Sequence, residues 1–254
     1  VSNSGISNFM SEHTLAAARS TLAGQTLSQR GPGTYVYASL IDSMGTDLSV
    51  VNAARVSFAT QHKIFEKSDE GLIKYLAKHK HWSPFGHATM QFHIKAPVFV
   101  ARQLGKHQVG LTWNEVSRRY VDNEVEFYTP EVWRGVAENK KQGSSDVEID
   151  INPSTGSGPM MVDDYQQALS RSKWTYEQLL RRGVCPEQAR MVLPQSMMTE
   201  WFWTGSLYAF ARVCNLRLKE DAQLETRLVA QDINIQAKGC FPISWKYLVK
   251  DNNE

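Results

Sequence analysis

The stretch TMQFHIKAP (Thr89–Pro97) alternates along its length, with Met90, Phe92 and Ile94 on one side and Thr89, Gln91, His93 and Lys95 on the other. Strand side chains point to opposite faces of a sheet, so a period of two predicts a strand with one buried and one polar face. TYVYASLID (Thr34–Asp42), β-branched and aromatic behind the turn GPG, predicts a second strand. Helices are predicted over Ser11–Gly24, from TDLSVV onward, over Ser68–His79 with Ser68 as cap, and in PVFVARQLGKH, where Pro97 suits a first turn. Two more follow at Met160–Arg182 and Glu187–Val192. The last, Lys219–Lys238, is predicted with Leu224, Leu228, Gln231 and Ile235 as its inner stripe and Gly239 as its stop. SMMTEWFWTGS reads as a strand or a helix start. This order of elements predicts a single α/β domain of the mixed type. It spans 1–254, with 1–30 as an N-terminal extension and 138–159 as a mobile polar surface insertion.

Composition narrows the function. A formal net charge of +2 offers no global attraction to nucleic acid or membrane, so any basic site must be local. Three scattered cysteines predict neither a disulfide framework nor a structural zinc site. The absence of a long apolar run or a signal-like leader makes cytoplasm the expected compartment.

RQLGKHQVGLTWNEVSRRY (Arg102–Tyr120) gathers three arginines, a lysine, a histidine, a glutamate and a serine among apolar residues. Adjacent Arg118 and Arg119 must point in different directions. They serve either an anion or a surface pair with Glu115. Arg190 in EQARMVLP and Arg217 in CNLRLKEDAQ sit among residues expected to be buried. A buried guanidinium needs a partner, which is either a carboxylate of the protein or an anionic ligand such as a nucleotide. His79, His81, His87, His93 and His107 have no metal-ligand spacing, and Ser117 and Cys185 lack the surroundings of a nucleophile. EWFW reads as core or subunit interface, or as aromatics that stack on a heterocycle.

At KHQVGLTWNEVSRRY the chain resembles the flavin-dependent thymidylate synthases, whose signature is Arg-His-Arg, seven residues, then Ser. NAARVSF, YLAKHKHWSPFGHAT, FVARQ, EFYTP, ARMVLP and LRLKEDAQLETR resemble further blocks of that family in the same order, from about Tyr35 to Tyr247. The chain departs from the signature with Lys106-His107-Gln108 and an eight-residue spacer before Ser117. Asp221 stands where many members have histidine.

The resemblance implies an α+β fold, a twisted and mainly antiparallel sheet flanked by helices. It implies reductive methylation of dUMP to dTMP, with methylenetetrahydrofolate giving the carbon and NADPH the electrons through FAD. It implies homotetramers with shared active sites, and no nucleic-acid or membrane partner. The alternatives within the resemblance are transfer of another one-carbon group, such as hydroxymethyl, or a non-catalytic nucleotide- or flavin-binding relative. The dUMP contacts carry over to Gln103, Lys106, Glu115, Val116, Ser117, Arg118, Arg119, Arg190 and Arg217, with Arg119 on the phosphate and Arg217 as the catalytic residue that polarises uracil. The FAD contacts carry over to Thr89, Lys106, His107, Gln108, Val109, Glu115, Ser206, Tyr208 and Arg212. Ser57 and His87 are further pocket candidates, and no metal is implied.

Overall fold

The alternation at Thr89–Pro97 becomes the centre of a sheet. The computed structural model describes residues 36–121, 124–138, 143–149 and 158–250. Its first half runs β1 (Tyr37–Met44), α1 (Asp47–Arg55), α2 (Lys67–Lys78), β2 (Thr89–Pro97), α3 (Val98–Leu104) and β3 (Leu111–Glu115). Its second half runs β4 (Arg134–Val136), β5 (Ser144–Glu148), α4 (Gly158–Arg181), α5 (Pro186–Ala189), β6 (Met198–Ser206), α6 (Leu207–Arg217), α7 (Leu224–Cys240) and α8 (Pro242–Leu248). Four antiparallel strands lie in the order β1-β2-β6-β3, and β4 pairs with β5 as a separate hairpin. This is the mixed helix and antiparallel-sheet class expected from the sequence. The helix expected at Ser11–Gly24 lies outside the described residues.

Met90, Phe92, Ile94, Trp201 and Trp203 fill the buried face of the sheet. Phe210 of α6 meets Phe92 at 5.0 Å and Trp203 at 5.4 Å, both edge to face. Each such side chain contributes about 1.5–3 kcal/mol by leaving water. The opposite face carries Gln91 bonded to Thr204 (3.0 Å), His93 to Glu200 (2.9 Å) and Lys95 to Glu126 (2.7 Å), beside a half-exposed Phe202. EWFW is thus a strand whose two tryptophans are core and whose phenylalanine faces outward.

Three expectations need correction. The inner stripe of α7 is not Leu224, Leu228, Gln231 and Ile235: Gln231 and Ile235 are exposed, and Thr226, Val229, Asp232, Ile233 and Gln236 are buried. The reason is polar. β1 is an edge strand, and Asp232 accepts from the Ala38 N–H at 2.9 Å. Gln236 accepts from Leu40 N–H and donates to Ala38 C=O, both at 2.7 Å. Side chains of α7 therefore satisfy backbone groups that would otherwise lack partners, and burial here follows bonding rather than hydropathy. Second, α7 starts at Leu224, leaving Lys219–Gln223 as a loop, and it runs through Gly239 to Cys240 instead of stopping there. Third, α2 is capped by Glu66, not Ser68: Asp69 accepts from the Glu66 N–H at 2.9 Å. The polar insertion also contains structure, since Ser144–Glu148 is the strand β5.

Candidate active site

The dense stretch found in the sequence wraps the C-terminal end of α3. Arg217, the last residue of α6, donates from Nε to His107 Nε2 (3.1 Å) and from Nη2 to the Gln103 carbonyl (3.4 Å). Because Nε2 accepts, His107 is held as the neutral ring with its proton on Nδ1. Burial, and then the charges of Arg217 and Arg212, hold its pKa below the ordinary histidine value. Burial also draws the Arg217 pKa down, although a guanidinium stays charged at neutral pH.

These residues open on a cleft of about 590 Å³ whose walls include Gln103, Lys106, Arg134, Ser144, Arg217 and Lys219. Its cations suit an anionic or electron-rich ligand. The Gln103 amide is fixed from behind: the Thr226 hydroxyl donates to its Oε1 at 3.2 Å, and its Nε2 donates to Gln223 Oε1.

Two more clefts continue around the same helix end, and a third lies beyond them. One shares Gln103 and Lys106 with the first and adds Arg102 and Gln108. The next, about 500 Å³, shares Arg102 and Gln108 and adds His107, Glu115 and the partly exposed Trp113, an aromatic face for a flat heterocycle backed by the buried Trp203. Glu115 leads into the last, about 240 Å³, which Val116, Arg118, Arg190 and Glu200 also line. Glu115 does not pair with either arginine of the Arg118–Arg119 step. Its carboxylate accepts from Thr199 Oγ1 (2.7 Å) and Trp113 Nε1 (3.2 Å), because β3 places it against β6.

The residues singled out in the sequence therefore separate into groups. Gln103, Lys106 and Arg217 share the cleft of about 590 Å³, and Glu115, Val116, Arg118 and Arg190 share the one of about 240 Å³. Arg118 donates to the Glu124 carbonyl at 3.2 Å. Arg119 is exposed, lies 4.9 Å over the Tyr120 ring and donates to Ser117 Oγ at 3.2 Å; Arg119 and Ser117 line none of the four clefts. Arg190 is exposed and Arg217 only partly buried, contrary to the expectation that both would be enclosed. Both come from short segments at element ends, where apolar neighbours in sequence do not mean apolar neighbours in space.

Thr89 pairs with Ser206 across β2 and β6, and Ser206 caps α6 by accepting from the Ala209 N–H at 3.2 Å. Tyr208 stacks on Phe85, while Arg212 and Val109 are exposed. Of these flavin candidates Ser206, Tyr208 and Arg212 follow one another along α6, about 9 Å from first to last at the helical rise. Ser57 and His87 are exposed and line none of the four clefts. Sequence reasoning missed Arg134, Glu225 and Thr226. The last two stand inside the block LRLKEDAQLETR, but nothing in the spacing says what they hold.

The sequence model of the family described as thymidylate synthase complementing protein matches residues 39–243. The flavin-dependent thymidylate synthase of Thermus thermophilus is 38% identical over 209 residues, 82% of this chain and 74% of that protein. The chain belongs to the flavin-dependent thymidylate synthase family. The enzyme of that name from Thermosipho africanus is 38% identical over 80% of this chain and 87% of its own. Among solved structures, the UMP/dUMP methylase PolB from Streptomyces cacaoi, bound with 5-Br dUMP, superposes with a TM-score of 0.71. It is 32% identical over 84% of this chain and 93% of that one. Against the signature of flavin-dependent thymidylate synthases, Lys106 keeps a charge without the guanidinium fork, and Gln108 keeps none.

Proposed function

We propose that this chain catalyses the reductive methylation of dUMP to dTMP, with methylenetetrahydrofolate as carbon donor and NADPH as reductant through bound FAD. The observation that carries the reading is Arg217, pinned by His107 and the Gln103 carbonyl at the edge of a cationic cleft. A fixed positive group beside a pyrimidine carbonyl stabilises charge that develops on the ring, and it needs no reorganisation during reaction. Gln103, its amide oriented by Thr226 and Gln223, supplies directional hydrogen bonding to the base. Ser117, Arg119 and Arg190 form the phosphate end of the reading. They stand apart from the Arg217 cleft, which supports a homotetramer whose neighbouring subunits complete each site.

The donor set fits FAD. Lys106 and Arg212 offer positive charge for its phosphates, His107 its Nδ1–H as a donor, and Trp113 a wall for its heterocycle. When bound, the flavin supplies the redox chemistry; the residues of the chain bind, orient and exclude water. The reading takes the chain as one cytoplasmic catalytic domain. Among the described residues, no helix is long and apolar enough to cross a membrane.

The deciding experiment is a visible spectrum of the purified protein during anaerobic addition of NADPH, then of dUMP with methylenetetrahydrofolate. The expected outcome is a flavin band that bleaches with NADPH and returns only with both substrates, with dTMP as product. A hydroxymethylated product would favour the other one-carbon chemistry, and a bound flavin without turnover would favour a binding relative. Similarity to a UMP/dUMP methylase supports a second reading in which UMP is also accepted, so UMP is the comparison substrate.

A further inference from the structure

Arg134, Gly143 and Ser144 of the β4–β5 region line the Arg217 cleft together with Gln103 and Lys106. Arg134 Nη2 lies 2.9 Å from Glu225 Oε1 and 3.2 Å from Oε2, and the Tyr128 hydroxyl donates to Oε1 at 3.2 Å. Glu225 is 3% exposed and stands in the first turn of α7, where the helix dipole favours a negative charge. Burial and the Glu225 charge raise the Tyr128 pKa, so this hydroxyl remains a donor. The next residue, Thr226, is fully buried and fixes Gln103. One helical turn thus holds both a strand of the hairpin and the amide of α3. A Cβ on Gly143 would sit 3.5 Å from Asp221 Cα and from Asp221 O, so the hairpin backbone lies close on the 219–223 loop. The charge of Arg134 is matched by Glu225, which makes its contribution to the cleft positional rather than anion capture.

We propose that the Arg134–Glu225 ion pair is a positioning device that sets the β4–β5 hairpin as a wall of the Arg217 cleft and so fixes its fit to a pyrimidine nucleotide. The proposal rests on reading that cleft as the nucleotide site. The test uses the full chain and compares wild type with Arg134→Met and Arg134→Lys. Hydrogen–deuterium exchange of residues 144–149 is followed with and without dUMP, alongside KM and kcat.

Wild type should show slower exchange at 144–149 when dUMP is present. Arg134→Met should exchange faster there without ligand, lose the dUMP protection and raise KM for dUMP by about tenfold, with kcat changed less than about threefold. Arg134→Lys, which keeps the charge without the fork, should recover part of both effects. A merely structural pair would lower the melting temperature and leave KM unchanged well below it. Wild type that makes dTMP without dUMP protection of 144–149 overturns the proposal, as does Arg134→Met with unaltered KM. Should Arg134→Met fail to fold, Arg134→Lys carries the comparison, and an unaltered KM there is equally decisive. Wild type that makes no product from dUMP removes the function reading. In that case unchanged exchange at 144–149 in the variant still overturns the wall, and faster exchange upholds it.

Discussion

Arg217 and His107 define the chemistry at the scale of single residues. Arg217→Ala should lower kcat/KM by about 100-fold or more while the flavin band of the purified protein persists. Near-normal turnover would refute the polarising role. His107 gives a second expectation, in pH. Its folded pKa lies below the unfolded value of about 6.5, so the unfolded chain takes up the proton first as pH falls. The stability that comes from keeping it neutral is present above that unfolded value and is lost as pH falls through it toward the folded one. An NMR titration should place His107 below the ordinary range, and Arg217→Gln should move it upward; no movement would refute the coupling. Arg217 was legible in the sequence as a cation amid apolar text, and the resemblance gave it a role. Its partner was not, because His107 lies 110 positions away and only the fold joins them.

Elements are decided by small sets of bonds. The fully buried Asp69 accepts from the Glu66 N–H, from Arg55 Nη2 at 2.8 Å and meets His62 Nδ1 at 3.0 Å, tying the start of α2 to the end of α1. Burial alone would raise its pKa, but the Glu66 N–H, His62 and Arg55 outweigh it and hold the carboxylate below its ordinary value. Stability from this group is present above the unfolded value of about 3.9 and is lost as pH falls through the lower folded one. Asp69→Ala should cost about 2–4 kcal/mol in urea unfolding at neutral pH, because it orphans a partly buried arginine as well as the cap. A loss under about 0.5 kcal/mol would show the cluster to be decorative. At the pairing of β3 with β6, a Cβ on Gly205 would come within 2.4 Å of Leu111 Cδ2 and 2.6 Å of the Gly110 carbonyl. Gly205→Ala should therefore loosen β3, seen as faster exchange at residues 111–115 and a lower melting temperature. Strand β2 was readable because one face is apolar without exception. The inner face of α7 was not, because it is built on Asp232 and Gln236, which hydropathy assigns to water. Likewise the cap of α2 falls on Glu66, a residue type that start signals rank below Ser68.

For the molecule as a whole, three clefts surround the end of α3, and the two signature replacements stand on them. Lys106→Arg with Gln108→Arg should tighten FAD in a fluorescence titration; unchanged or weaker affinity would mean that the longer spacer has re-routed the loop. The family and the fold were legible from ordered blocks of text, whereas the hairpin wall was not, because its strand lies in the polar insertion outside those blocks. A last consequence concerns α7. Its first turn holds Gln103 and Arg134, and about 10–16 Å further along the same rod Asp232 and Gln236 complete the edge of the sheet. The cleft thereby inherits the stiffness of the sheet, and it cannot soften independently of it. Heat or denaturant should extinguish activity and the sheet together, with no earlier step in which the enzyme falls silent while the fold survives.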